Sequence, residues 1–373
     1  MALRHLLRNT SSRQGLSDLR NVPEPWSVLV RRDVSSSGQS RDRNGGNRSD
    51  KTKELDSLGT WNTRLDLPFM EESSVRRGTI IPGIDIQSVG VASSKGRRIY
   101  QEDRHTVVEP HPNHLLLAVW DGHGGDECSE FCSNQVVGHV MRYLETAQES
   151  QRTDLSLVLR NVVRDLQTSF EKHWSMRNSA KSRSPGTTAT IALIRDGYEL
   201  VVAQVGDSRA ILNRDGEVRT LTKDHCPSDP QEKARIELAG GTVSYDTIGR
   251  YMVNHRLAMS RSIGDLDLKP FGVTAEPDII RMNFKHRKDI YLVLTTDGVN
   301  FVMSDEEVVD CVNQGDNPQE SAKKLVDQAL LYASEDNITA IVVPLGSWGK
   351  NIAGKTSVFY SLGRSMSLSS RFS

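Results

Sequence analysis

The chain has 373 residues, a formal net charge of −1 and charged side chains at 25% of its positions. This length allows one large catalytic domain with tails, or two modest domains. The near-zero, evenly mixed charge argues against a surface for nucleic acid or another polyanion. No apolar stretch approaches the roughly 18 residues that a transmembrane segment requires. The four cysteines lack zinc spacing and indicate a reducing compartment.

The N-terminal segment differs from the rest of the chain. Residues 1–17 contain arginines and leucines at helical spacing but no acidic residue, and residues 35–49 are rich in Ser, Arg and Gly. An acid-poor, Arg- and Ser-rich amphipathic start is typical of an organelle transit peptide. A merely disordered tail is the alternative. We therefore expect residues 1–57 to be a transit peptide and linker that direct the protein into mitochondria.

The segment 58–348 carries the regular patterns of a folded domain. Its lead-in, residues 58–68, offers Trp61, Leu65 and Leu67 to a core. Apolar and β-branched runs then predict strands, and longer amphipathic runs predict helices. The expected strands lie at 87–92, 105–109 and 114–119, and the expected helices at 126–147 and 154–174.

Two Asp-Gly pairs give the clearest β signal. The pair at 196–197 separates the runs 188–194 and 199–205, and the pair at 215–216 separates 209–212 and 217–220. Asp-Gly supplies the positive φ angles that a tight hairpin turn requires. Both pairs of runs are therefore predicted to be antiparallel.

The pattern loosens after these hairpins. A short helix is predicted at 230–239, ended by two glycines, and the polar segment 242–277 is expected to be an irregular flap or lid. Strands at 279–282, 291–295 and 337–343 alternate with helices at 305–314 and 318–333, and residues 349–373 read as a Ser-rich disordered tail. Together the elements predict an α+β fold, with two antiparallel β-sheets sandwiched between layers of α-helices.

A glycine-rich turn, Val119 to Gly125, is the first candidate site. It reads VWDGHGG and joins a buried strand to a helix. Asp121 can bridge two cations there, and the bare carbonyl of Gly122 can add a ligand. An ordinary turn with an aspartate cap is the alternative interpretation of this stretch alone.

Further acidic residues lie at the ends of other predicted strands. Clustered carboxylates raise one another's pKa unless cations neutralise them, and all-oxygen ligation suits Mg²⁺ or Mn²⁺. Two such ions about 3.5–4 Å apart would activate a bridging water for in-line attack on phosphorus. The residues at strand ends or turns are Glu102, Asp103, Asp121, Asp207, Asp297 and Asp336, and Asp265 joins them from the irregular segment 242–277.

Nine short runs, in order, carry a family resemblance that covers about residues 87–344. They are RRIYQED, VWDGHGG, GTTAT, VGDSRAIL, LTKDH, RLAMSRSIGD, AEPD, TTDGV and EDNITAIVV. The chain resembles the metal-dependent type 2C Ser/Thr protein phosphatases. That resemblance implies a phosphatase for phosphoserine and phosphothreonine in proteins, with two Mg²⁺ or Mn²⁺ ions and a weaker third.

The resemblance also implies roles for single residues. Asp121 would bridge the two ions, with Asp297 and Asp336 completing the first site. The Gly122 carbonyl would serve the second site, with Glu102 and Asp103 nearby, and Asp207 with Asp297 would form the weaker third. Arg98 would grip the substrate phosphate, and His123 would be the general acid. Asp265 ranks below Asp207 among the candidates, as a carboxylate of the lid near the metals.

Three further stretches point to one branch of the family, and the residues after Gly298 depart from the family pattern. LGTWNTRLDLP, DGVNF and GSWGK are similar to the mitochondrial branch of the family that acts on the branched-chain α-ketoacid dehydrogenase complex. After Asp297-Gly298 the family usually shows an aromatic residue and then an acid, whereas this chain has Asn300 and Phe301. An inactive scaffold with the same fold and a two-metal nuclease are the alternatives from other classes.

Overall fold

The structure, a computed structural model, describes residues 83–146, 153–178 and 183–349. The expected transit peptide and linker 1–57, the lead-in 58–68 and the tail from residue 350 onward lie outside the described residues. The strands are β1 Gly90–Ser94, β2 Arg104–His111, β3 His114–Trp120, β4 Gly122–His123, β5 Gly186–Thr187, β6 Ala189–Arg195, β7 Glu199–Val205, β8 Arg209–Arg214, β9 Glu217–Thr220, β10 Val243–Tyr245, β11 Tyr251–Val253, β12 Ile263–Gly264, β13 Asp278–Asn283, β14 Asp289–Thr295 and β15 Ile338–Pro344.

The α-helices begin where the sequence offers capping residues. Asp154 and Asp229 accept backbone N–H bonds at two helix starts, and Ser304 with Glu307 forms a reciprocal capping box at a third. Asn317 caps the last helix, and Pro318 follows it at the first helical position. The helices are α1 Glu127–Thr146, α2 Leu155–Arg177, α3 Pro230–Leu238, α4 Asp297–Asn300, α5 Asp305–Val312 and α6 Pro318–Leu331, with 3₁₀ turns at Ile86–Ser88 and Lys269–Phe271.

Two five-stranded antiparallel sheets form the centre of the fold. One has the order β1-β15-β14-β8-β9, and the other β13-β7-β6-β3-β2. The side chains between them make one apolar cluster, to which Leu117 and Val202 contribute from one sheet and Leu212 and Leu294 from the other. Sheet residues therefore alternate between this shared core and the outer faces.

Helices cover both outer faces. α1 and α2 pack on the β13-β7-β6-β3-β2 sheet around residues such as Phe170 and Trp120, while α5 and α6 pack on the other sheet around Val308 and Leu325. The layers therefore run helix, sheet, sheet, helix. The predicted α+β sandwich is confirmed.

Both predicted Asp-Gly hairpins are present. Asp196 and Gly197 have φ of 55° and 64°, and Asp215 and Gly216 have φ of 56° and 87°. They join β6 to β7 and β8 to β9, which pair antiparallel. The positive φ that the turns require explains why this part of the fold can be predicted locally.

The segment 242–277 is more regular than its composition predicts. β10 and β11 pair as a small hairpin, and β12 pairs with β5, which also pairs with β4. The expectation of an irregular lid was therefore wrong in part. β4, β5 and β12 have only two residues each and pair with partners distant in sequence, so their stability depends on those long-range contacts.

Candidate metal centre and active site

The predicted ligands meet at one end of the two sheets. Asp121 follows β3 and Asp103 precedes β2, and these antiparallel strands pair Trp120 with Arg104. In the other sheet, Asp297 follows β14 and Asp336 closely precedes β15, which are likewise antiparallel neighbours. Antiparallel pairing places the end of one strand beside the start of the next, so each sheet presents its carboxylates at one edge.

Hydrogen bonds join the two edges into one site. Asp103 Oδ2 accepts from the hydroxyls of Thr296 and Thr339, at 3.0 and 2.7 Å, across the gap between the sheets. The backbone N–H of Asp297 points to Asp121 Oδ2 at 3.4 Å. The two sheets thus contribute to a single acidic cluster.

Glycine is required where the chain turns into β4. A Cβ on Gly122 would lie 2.5 Å from the carbonyl oxygen of Glu102 and 2.7 Å from Ser129 Oγ. The Glu102 carboxylate is held nearby because its Oε1 accepts from Gly125 N–H at 2.7 Å. A side chain at this position would therefore push apart the turn and the segment that carries Glu102.

Four aspartates of this cluster have raised pKa values, which indicates that an added positive charge would stabilise the site. Burial is the main cause of every rise in pKa, and neighbouring carboxylates add to it: the pKa of Asp103 rises to about 7 and that of Asp207 to about 8. The pKa of Asp121 lies well above its ordinary value, and that of Asp297 is also raised. Carboxylates in such an environment are stabilised as anions only when cations lie among them.

Three carboxylate oxygens have no hydrogen-bond partner among the described residues. They are Oδ1 of Asp103, Asp207 and Asp297, all buried. Buried acceptors are normally satisfied, so these atoms fit a role as ligands. Within the same residues, no group of three or more Asp, Glu, His or Cys side chains is arranged to hold an ion unaided. Mg²⁺ keeps several water ligands in most protein sites, so carboxylates that leave an oxygen unpartnered still fit that ion without surrounding it.

Arg98 and Asp336 form a direct ion pair. Arg98 Nη2 lies 2.6 Å from Asp336 Oδ2, and the arginine side chain is 53% exposed. A guanidinium has five N–H donors, so this contact leaves others free to face a phosphate. The structure therefore places the predicted phosphate-binding residue beside a predicted metal ligand.

His123 has a partner that spacing could not reveal. Its Nε2 lies 2.7 Å from Asp265 Oδ2, although the two residues are 142 positions apart. Burial lowers the pKa of His123, but the Asp265 carboxylate outweighs burial, and the net pKa is raised. The same contact holds the pKa of Asp265 below its ordinary value against the effect of burial. Asp265 was expected near the metals, but its pairing with His123 was not foreseen.

Asn300 and Phe301 depart from the usual family pattern after Asp297, and Asn300 lies near Asp207. Asn300 accepts from Thr295 Oγ1 at 2.7 Å, and its amide points to the Asp207 carbonyl at 3.5 Å. Phe301, where the family usually has an acid, is 50% exposed. Neutral side chains thus lie at the two positions where the family usually has an aromatic residue and an acid, next to the place predicted for the weaker third site.

A shallow groove of about 550 Å³ lies apart from this cluster. Its lining includes Arg160, Lys223 and Arg261, but it contains none of the predicted ligands. Each of these cations already has an acidic partner. The groove is therefore not a candidate for the chemistry described here.

Comparisons with known proteins identify the family of the chain. The family model "Protein phosphatase 2C" matches residues 87–338. Protein phosphatase 1K, mitochondrial, of Xenopus laevis is 44% identical over 308 residues, which cover 83% of this chain and 81% of the relative. Protein phosphatase 1L of Bos taurus is 32% identical over 264 residues, 69% of this chain and 72% of that protein.

Solved structures show the same architecture. A serine-threonine phosphatase 2C from Toxoplasma gondii matches with a TM-score of 0.62 and 24% identity, covering 69% of this chain and 94% of that one. A C. elegans sex determining protein matches with a TM-score of 0.61 and 27% identity, covering 70% of this chain and 65% of that one. With the family model matching more than half of its length, the chain belongs to the protein phosphatase 2C family of serine/threonine protein phosphatases.

Proposed function

We propose that this chain is a Mg²⁺- or Mn²⁺-dependent phosphatase of the mitochondrial matrix that acts on phosphoserine and phosphothreonine in proteins. Its proposed substrate is the branched-chain α-ketoacid dehydrogenase complex, so that it promotes branched-chain amino acid catabolism. We further propose residues 58–348 as the catalytic domain, preceded by a transit peptide and linker at 1–57 and followed by a disordered tail at 349–373.

The acidic cluster is the observation that supports metal-dependent catalysis best. Four aspartates of the cluster, at positions 103, 121, 207 and 297, have raised pKa values, and three of them keep a buried oxygen without a hydrogen bond among the described residues. Retaining such repulsion is costly unless the residues serve a ligand. We assign Asp121, Asp297 and Asp336 to one ion, Gly122 with Glu102 and Asp103 to a second, and Asp207 with Asp297 to a weaker third.

Divalent ions bound there would lower the pKa of a water molecule and offset the charge of the phosphate. The protein's own groups do the rest. Arg98 presents its exposed guanidinium to the phosphate oxygens, a contact that suits a planar, bidentate donor. His123 holds a proton beside the site and gives it to the departing seryl or threonyl oxygen, which is too basic to leave unprotonated at neutral pH.

The proposed location and substrate rest on similarity rather than on the site. The 44% identical relative is named as mitochondrial, and the acid-poor start of this chain agrees with import. Three sequence stretches resemble the branch that acts on the branched-chain α-ketoacid dehydrogenase complex. Pyruvate dehydrogenase and regulators of a membrane pore are the other substrates to compare. Among the described residues, no helix has the length and apolarity to cross a membrane.

The activity is tested with the full chain and a phosphoserine peptide. We expect phosphate release in Mn²⁺ or Mg²⁺, its loss with EDTA and its return when metal is added back. A chain that releases no phosphate under any metal condition would support the inactive scaffold instead. Cleavage of DNA or RNA by the same preparation would support the nuclease alternative.

The substrate is tested separately. Purified phosphorylated branched-chain α-ketoacid dehydrogenase and pyruvate dehydrogenase complexes should be compared under identical conditions, and the former should lose phosphate faster. Phosphoproteomics of mitochondria lacking this protein should show the same complex with raised phosphorylation. Unchanged phosphorylation there, with another matrix protein affected, would replace this substrate while leaving the phosphatase activity intact.

A further inference from the structure

His123 and Asp265 reach each other across a small three-stranded sheet. β5 lies in its middle, with β4 on one side and β12 on the other. Gly186 of β5 pairs with His123 on β4 and with Gly264 on β12. Strands two apart in a sheet are separated by roughly 9–10 Å, so side chains from the outer strands meet only above the central one.

The central residue must be glycine for this contact to exist. A Cβ on Gly186 would lie 2.2 Å from Asp265 Oδ2 and 2.4 Å from His123 Nε2. Both distances are far below van der Waals contact, and the two atoms are the partners of the His123–Asp265 hydrogen bond. The space that the missing side chain leaves is therefore the space that the His123–Asp265 pair fills.

The Asp265 carboxylate is itself fixed in place. Ser262 Oγ donates to its Oδ2 at 2.6 Å, and its backbone N–H donates to the Pro185 carbonyl at 3.1 Å. Lys269 Nζ donates to the Ser262 carbonyl at 2.6 Å, which anchors the residue that holds the carboxylate. The side chain of Asp265 is 5% exposed. It therefore has few alternative orientations and little competition from water.

The two ring nitrogens of His123 have different surroundings. Nε2 is engaged by Asp265, whereas Nδ1 is buried and has no hydrogen-bond partner among the described residues. A carboxylate can only accept, so Nε2 carries a proton in this contact. The partner of one nitrogen decides which nitrogen is left to exchange a proton.

We infer that Asp265 is a positioning residue for His123: it holds Nε2–H, fixes the ring, and leaves Nδ1 as the nitrogen that serves the leaving group. This inference rests on the proposed function. As water forms a new bond to phosphorus, the bond from phosphorus to the seryl oxygen breaks. Its electron pair stays on that oxygen, which takes the proton from Nδ1. The attacking water gives up one proton to solvent as it becomes a phosphate oxygen. The imidazole is then neutral with its remaining proton on Nε2, and solvent returns a proton to Nδ1, so the sum is one water consumed per seryl hydroxyl and phosphate formed.

The test compares two leaving groups in three variants of the full chain. His123→Gln should slow hydrolysis of a phosphoserine peptide by ~10²–10⁴-fold. It should slow p-nitrophenyl phosphate much less, because a phenolate leaves without a proton. Asp265→Asn should show the same selectivity, with a loss on the peptide of at least ~10-fold. The double variant should be no slower than His123→Gln, because Asp265 acts through His123.

Asp267→Asn is the matched control. Asp267 lies two residues away and pairs with Arg256, not with His123. It should leave the kcat for both substrates unchanged. Equal losses of Asp265→Asn on both substrates, or additive losses in the double variant, would overturn the inference. A wild-type chain inactive on the peptide would instead overturn the proposed function.

A second measurement reads the proton of the wild-type chain directly and does not depend on the activity of any variant. In ¹⁵N-histidine spectra of the wild-type full chain with Mg²⁺, His123 should show a slowly exchanging proton on Nε2. Its signal is assigned by its disappearance in His123→Gln. Gly186→Ala should shift or remove that signal, since its Cβ would occupy the contact. A His123 whose Nε2 carries no proton, with Nδ1–H the only one observed, would also overturn the inference.

Discussion

Replacing Asp103 by Asn should stabilise the metal-free protein in a pH-dependent way. Asp103 is 3% exposed, its Oδ2 accepts from two threonine hydroxyls, and its Oδ1 has no partner among the described residues. Burial raises its pKa from the ordinary 3.8 to about 7, and the charge of Asp297 adds to the rise. An asparagine keeps an acceptor for both threonines and removes the negative charge.

The raised pKa of Asp103 determines how its contribution to stability varies with pH. A group whose pKa is higher in the folded than in the unfolded state contributes stability that is complete below the unfolded value and is lost as pH rises through the folded value. The loss therefore runs from about pH 4 to about pH 7. The gap between the two values corresponds to about 4 kcal/mol above pH 7.

The asparagine introduces a cost of its own. Its amide group takes the place of Oδ1, and an unpaired buried N–H donor costs ~1–3 kcal/mol. We therefore expect Asp103→Asn to raise the free energy of unfolding by ~1–3 kcal/mol at pH 8. At pH 5 Asp103 is protonated in most folded wild-type chains, so the wild type no longer carries the buried charge. The stability gained by Asp103→Asn should therefore shrink to near zero or reverse.

Urea unfolding in EDTA, followed by tryptophan fluorescence at pH 5 and pH 8, measures this difference. Asp327→Asn is a control of the same chemistry, because Asp327 is exposed and pairs only on the helix surface with Lys323. It should show no pH-dependent gain. An Asp103→Asn variant whose stability relative to wild type is the same at both pH values would refute the electrostatic reasoning.

Three further predictions follow. Asp297→Ala should reduce phosphate release from a phosphoserine peptide by ~10²-fold or more at saturating Mn²⁺, because it removes a ligand from the site; near-normal turnover would contradict this. Hydrogen bonds from Arg235 and Arg261 outweigh the burial of Glu232 and hold its pKa below the usual range, so its stabilisation is present at neutral pH and lost in acid. Glu232→Gln should therefore cost about 3 kcal/mol at pH 7 in urea unfolding, with the gap to wild type closing as pH falls below 4; a gap independent of pH would count against it. Removing residues 1–57 should leave peptide hydrolysis unchanged but stop mitochondrial accumulation, and a reporter carrying that segment that stayed in the cytosol would oppose the transit interpretation.

Local patterns sufficed for the sandwich and for placing most of the predicted carboxylates at the ends of strands. The Asp-Gly turns at 196–197 and 215–216 specify their own geometry, because both residues adopt positive φ. The apolar run at 115–119 then places Asp121 directly after β3. Asp297 was expected at the end of a strand. It follows β14 as the first residue of α4, and its backbone N–H points to Asp121 Oδ2. Such features depend on neighbours within a few residues, which a single sequence displays.

Contacts between distant segments could not be predicted in the same way. The sequence run that contains Asp265 drew attention to that residue, but nothing in it indicates His123, which lies 142 positions away. Gly186 looks like any glycine in an apolar stretch until its neighbours are in place. The strands β4, β5 and β12 have two residues each, too few for a periodic signal. Nonlocal packing, not local propensity, builds the His123–Asp265 pair.

The most direct test of the account is the number of Mn²⁺ ions that the full chain binds. Equilibrium dialysis at millimolar Mn²⁺ should find at least two ions per wild-type chain. Asp121→Ala, which removes the proposed bridging carboxylate, should lower that number, whereas the surface variant Asp327→Asn should not. A wild-type chain that binds no Mn²⁺, or an Asp121→Ala variant that binds as many ions as wild type, would contradict the assignment of the acidic cluster as the metal centre.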